Sequence, residues 1–140
     1  MNKHIKTAMY YAILGLFFGV FYREFTKFNG VDGGTSLAFL HVHTLMLGMF
    51  FFLITGLFED KFKIIEHKWH KLFSISYHSW LHITLIMFIV RGVIQVLDLT
   101  VNRAVNMSVS GIAGIGHILL AVGLISFLSI LNSESKKLSN

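Results

Sequence analysis

Four long apolar runs alternate with short polar connections along the chain. They extend roughly from Ile5 to Phe25, Leu37 to Phe58, Leu72 to Leu97 and Val109 to Leu131. Each has about the 20 residues that a helix needs to cross a bilayer core. A spanning segment has to satisfy its own backbone, so helix is the state expected for all four. The pattern predicts an all-α, integral membrane four-helix up-down bundle, one domain over residues 1–140, with helices at about 5–25, 37–58, 72–97 and 109–131. Lys3 and Lys6 precede the first run in the manner of a signal peptide. The run lacks a small-residue cleavage site and continues into Phe21-Tyr22-Arg23-Glu24-Phe25, which reads as a retained helix.

The connections carry the expected breakers. Asn29-Gly30 and Asp32-Gly33-Gly34 mark the first, and Thr35 or Ser36 is placed to cap the second helix. Gly15 and Gly19 form a Gly-xxx-Gly pair that permits close helix contact. Lys3, Lys6, Lys61, Lys63, Lys68, Lys71, Lys136 and Lys137 fall on one side of the membrane, against Arg23, Lys27 and Arg103 on the other. That bias places both termini in the cytoplasm, with the cell membrane as the location and Trp69 as an interfacial anchor.

Composition sharpens the picture. Hydrophobic residues make up 54% and charged residues 14%, far from a soluble average. There is no cysteine, which excludes thiolate metal sites and iron–sulfur clusters. The net charge of +5 belongs to residues flanking apolar runs, so it serves membrane orientation and not nucleic acid. No nucleophile–base triad, phosphate loop or paired intramembrane carboxylate is present, which argues against an ordinary hydrolase or kinase.

The candidate chemistry lies in histidines. Imidazole is costly in hydrocarbon, and ionisable groups inside a span read as functional by default. His41 and His43 lie in Leu40-His41-Val42-His43-Thr44, and His117 in Gly114-Ile115-Gly116-His117. At 1.5 Å rise per residue, these three fall in the outer half of the bilayer, and His82 lies near its middle. Runs two and four are parallel in an up-down bundle, which sets them diagonally across a core where two histidines can hold one haem.

Residues two apart on a helix point about 200° apart, so His41 and His43 cannot both face one iron. Thr44, Gly48 and Thr55 share the side of His41, whereas bulky Phe39, Met46 and Phe50 share that of His43. This favours His41 as the inner ligand and leaves His43 for a neighbouring helix, a second subunit of a homo-oligomer or a second cofactor; the reverse assignment stays open. Ser110, Ala113, Gly114 and Ala121 beside His117 leave room for a flat macrocycle. Arg91 is suited to haem propionates, to a pair with Asp98, or to snorkelling. His78 and His82, four apart, share a face. His4, His67 and His70 sit at the aqueous boundary and are expected to be solvated.

The elements Phe21-Tyr22-Arg23-Glu24-Phe25-Thr26-Lys27, His41-Val42-His43, Arg91-Gly92-Val93-Ile94-Gln95 and Ser110-Gly111-Ile112-Ala113-Gly114-Ile115-Gly116-His117 resemble a small bacterial family of multi-pass membrane proteins of unknown function. That resemblance implies four membrane helices and supplies no activity. The His41-Val42-His43 element alone is similar to haem-binding subunits of respiratory haem-copper oxidases, where a His-x-His on one helix serves two cofactors; oxygen reduction and proton pumping do not carry over.

Three functions remain open from these residues. One is a b-type haem protein (an oxidoreductase if it is an enzyme) in electron transfer, with quinone or another redox partner, or in binding a small gas; the haem would be held by His41 or His43 with His117. Another is a copper or zinc binder or transporter using His41 or His43, His82 and His117. The last is a cofactor-free membrane assembly protein.

Overall fold

The computed structural model describes residues 3–139. Four helices carry the fold: α1 (Lys3–Phe28), α2 (Ala38–Phe62), α3 (His70–Val96) and α4 (Arg103–Ser139). A single 3₁₀ turn, Ile64–Glu66, joins α2 to α3, and no strand occurs among the described residues. Each of the four is long and apolar enough to cross a membrane. Bulky apolar side chains such as Ile13, Leu16 and Phe17 on α1 and Ile115, Ile118 and Ile125 on α4 point outward. In water such a surface would be an aggregation liability; in a bilayer it faces acyl chains. The chain is a multi-pass membrane protein.

Local chemistry explains the ends. Gly30 takes φ +65° past α1, while Val31 N–H reaches Thr26 O and Gly30 N–H reaches Lys27 O. This pairing of the last carbonyls needs a left-handed residue, which glycine adopts without steric cost. Thr35 and Ser36 do not cap α2. Its N-cap is Leu37, with no side-chain bond, and Thr35 Oγ1 is buried without a partner. The first donors of α2 are met by the backbone instead, Ala38 N–H by Thr35 O, Phe39 N–H by Ser36 O and Leu40 N–H by Leu37 O, and Ser36 N–H, just before the helix, donates to Gln95 Oε1 of α3 at 2.7 Å. Gln95→Leu is therefore expected to cost about 1 kcal/mol, the usual net worth of one hydrogen bond, read as a lower melting temperature in detergent.

α1 packs along α2, and α3 along α4, as two antiparallel pairs. Glycines set the approach. A Cβ on Gly15 would stand 2.7 Å from Leu45, and one on Gly48 would stand 2.5 Å from the Tyr11 ring. A Cβ on Gly123 would stand 3.1 Å from the backbone of Tyr77. The pairs join where Leu37 of α2 meets Gly92 of α3, and where Phe51 stacks on Tyr77 at 4.2 Å and touches Phe127 of α4 at 5.1 Å. α2 and α3 thus occupy the centre and share contacts with both outer helices. The diagonal expected for helices two and four falls instead to α1 and α4, which share no extended contact among the described residues.

Within α2, Thr44–Phe50 is wound as a π-helix. Phe51 N–H bonds Met46 O and Gly48 O and passes over Leu47 O, which accepts the Tyr77 hydroxyl at 2.9 Å. The wide turn thus presents a carbonyl to a neighbouring helix. Such turns are uncommon and recur at functional sites.

Candidate cofactor site

We refer to the end holding Lys3 and Ser139 as the terminal end and the other as the far end. Near the far end, the first half of α4 leans on α3 alone; between residues 103 and 118 only Val109, Ala113 and Gly116 turn inward. This leaves a cleft of about 240 Å³ between α2, α3 and α4, walled by Phe39, Met87, Phe88, Arg91, Ser110 and Ala113. A second cavity of about 460 Å³, lined by Gln95, Asp98 and Asn106, opens beyond it, and the two share Arg91 and Val109. Arg91 holds the junction: its Nη2 donates to Ser110 Oγ at 3.3 Å. No ion pair between Arg91 and Asp98 forms among the described residues.

His43 and His117 do not line the cleft, but each bonds the backbone of a residue that does. His43 Nδ1 lies 2.9 Å from Phe39 O, and His117 Nδ1 lies 2.8 Å from Ala113 O. A carbonyl only accepts, so each Nδ1 carries the hydrogen and each neutral ring keeps its lone pair on Nε2. A bond of this kind holds a histidine ring in one orientation, as it does for metal-ligating histidines, and His82 makes the same bond to His78 O. Both acceptor residues, Phe39 and Ala113, are themselves walls of the cleft. The His43 ring meets Phe88 at 4.9 Å, and the turn of α4 that carries His117 rests against Ile83, Trp80 and Thr84 through Gly116. Two imidazoles near the cleft, aromatic walls and a guanidinium are the types of group that an iron porphyrin with propionates would use.

His41 faces the other way. It lies under Gly19 of α1, where a Cβ would come within 3.7 Å of its own Cβ, and its buried Nδ1 has no partner. His82 also turns toward α1, where its Nε2 lies 3.4 Å from the Tyr10 hydroxyl. Arg91 thus lines the cleft, His43 and His117 bond carbonyls of two of its walls, and His41 and His82 turn toward α1. No group of three or more His, Cys, Asp or Glu side chains among the described residues is placed to hold a metal ion.

The whole length of the chain up to residue 134 matches one family. The chain belongs to DUF2871, a family of proteins of unknown function. No curated protein and no solved structure matches the chain. Membership in DUF2871 agrees with the multi-pass architecture and assigns no chemistry to the cleft.

A second group of polar side chains lies toward the terminal end of this DUF2871 member. His4 is buried, at 4% exposure, and bonds Glu59 at 3.1 Å. The half-buried His67 holds its side chain against Glu134 at 3.8 Å, and His70 meets His4 edge to face at 5.9 Å. The expectation that His4, His67 and His70 are solvated is corrected: two of them are shielded by carboxylates from other helices. Tyr11 lies 2.7 Å from His78 Nδ1, a contact that the sequence reading missed. The usable signal was depth, because Glu59 and His4 end their helices at the same level although 55 residues separate them.

Proposed function

We propose that this protein is a membrane-embedded b-type haem protein acting in electron transfer, with the haem seated in the cleft between α2, α3 and α4. The observation that supports this reading is the pair of Nδ1–H bonds from His43 to Phe39 O and from His117 to Ala113 O, two wall residues of one cleft, which keeps the Nε2 lone pair of each neutral ring available. His43 and His117 would hold the iron, and Arg91 would pair with the propionates, whose geometry suits its fork. Bis-histidine ligation supplies one-electron chemistry, whereas an open axial position would suit gas binding. His41, favoured by the small residues on its side of the helical wheel, is left as an alternative ligand. A quinone or a redox protein is the expected electron partner. The positive flanks favour a cell membrane with both termini in the cytoplasm.

The test is the absorption spectrum of the purified full chain from haem-replete cells, oxidised and reduced, with metal analysis of the same sample. A Soret band at about one haem per chain, with iron, supports the reading. A colourless protein rules it out, and copper or zinc without iron points to the metal-binding alternative.

A further inference from the structure

We propose that the terminal end of the bundle binds the phosphate of an anionic phospholipid headgroup, in a cavity between the α2–α3 turn and the last turns of α4. The site lies at the opposite end of the molecule from the cleft and does not depend on what the cleft holds.

The cavity measures about 550 Å³. Lys63, Lys68 and His67 line it from the turn, and Lys137 and Glu134 line it from α4. A phosphate needs cationic donors that are not already neutralised. Lys137 Nζ holds Glu134 Oε1 at 2.6 Å, and His67 Nε2 approaches the same oxygen at 3.8 Å. His67 Nδ1 accepts from Trp69 N–H at 3.1 Å, so in the neutral ring the hydrogen sits on Nε2 and faces Glu134. Glu134 is thus satisfied within the wall. Lys63 and Lys68 form no ion pair among the described residues, so their ammonium groups carry the uncompensated charge of the cavity.

Lys63 stands there against its backbone preference. It ends α2 at φ 47° and ψ 45°, in the left-handed region where glycine is the unstrained choice. A lysine at this position costs conformational energy and brings an ammonium group to the cavity. The turn that follows is pinned. Ile64 is fully buried, Ile65 N–H donates to both oxygens of Glu59 at 3.1 and 3.2 Å, and Glu66 N–H donates to Lys63 O at 3.1 Å. The two lysines therefore stand on a fixed frame. Lys68 Nζ lies 5.8 Å from the ring of Trp69, which is 44% exposed. Tryptophan settles at headgroup depth, which sets Lys68 at the level of lipid phosphates. Glu66, also in the wall, offers an acceptor for a headgroup hydroxyl. Basic pockets at the ends of membrane helices recognise lipid phosphates by this chemistry.

The experiment uses the full chain in dodecyl maltoside at about 0.15 M salt, where separated surface charges are screened. Thermal unfolding is followed while dioleoylphosphatidylglycerol, dioleoylphosphatidylcholine or inorganic phosphate is added. Phosphatidylglycerol is expected to raise the melting temperature and to saturate, because a ligand of the folded state stabilises it by mass action. Phosphatidylcholine leaves it unchanged. An equal rise with inorganic phosphate would overturn the lipid assignment in favour of a soluble phosphate. Lys68→Gln is expected to raise the half-saturating lipid concentration about fivefold, the loss of one lysine at an anionic surface. Lys61→Gln, an equal change of charge outside the cavity, leaves that concentration unchanged. Lys63→Gly suits the left-handed turn, so the lipid-free melting temperature holds or rises while lipid binding weakens about fivefold. Lys63→Gly and Lys68→Gln variants that respond to phosphatidylglycerol as the unmodified chain does, an equal loss in Lys61→Gln, or an equal rise with phosphatidylcholine overturns the proposal.

Discussion

Replacing His117 by alanine removes the Soret band expected of the purified protein, while the protein stays folded. His117 is exposed and its one bond is to a carbonyl of its own helix. Surface changes of this kind move stability within about 0.5 kcal/mol, so a lost spectrum would report a lost ligand and not a lost fold. His43→Ala is expected to have the same effect on the spectrum, because in the proposed reading each histidine would supply one nitrogen to the iron. His41→Ala leaves the band in place, since His41 lies under α1. Reduced-minus-oxidised spectra, with haem content per chain and size-exclusion profiles, check all three. A full band in His117→Ala, or its loss only in His41→Ala, would sink the assignment of the axial pair.

Gly92→Ala is expected to produce the largest loss of stability from a single added methyl group. The new Cβ would meet Leu37 at Cγ, at Cδ2 and at the backbone nitrogen, the last two at 2.7 Å. Leu37 is fully buried and starts α2, so neither its side chain nor its backbone has somewhere to go. Overpacking of this kind costs about 1–3 kcal/mol, and more where backbone has to move. The contact also joins the two helix pairs, so forcing it apart loosens the whole bundle. Gly114→Ala is the matched control: nothing stands within 4 Å of its added Cβ. There alanine is expected to be neutral or to stabilise by about 0.5 kcal/mol through helix propensity. Thermal unfolding of both variants in one detergent separates them, and equal melting temperatures would refute the packing account.

The four spans were legible because about 20 apolar residues in a row have few alternatives to a membrane helix. The opposed directions of His41 and His43 were legible for the same elementary reason, the 100° step of a helix. Which of the two faces α1 was not, because that is decided by where α1 is thin. Gly15 and Gly19 let it pass over Leu45 and His41, and two glycines in one helix do not name their neighbour. The burial of His4 was hidden by distance along the chain, since its partner Glu59 belongs to another helix. Thr35 and Ser36 carried a cap signature that the backbone overrode, because their carbonyls and not their hydroxyls accept from Ala38 and Phe39. The widened winding at Thr44–Phe50 had no proline to announce it.

That winding has a mechanical meaning for the molecule. His43 stands just before it and Phe52 just after it, one bonded to a wall of the cleft and the other stacked on the His78 imidazole on the opposite flank. A segment with more residues per turn works as a phase adjuster, offsetting the two ends of α2 against each other. Removing one residue from it would let α-helical winding resume, and either the cleft or the stack would then lose its side chain, because one rigid rod cannot aim both.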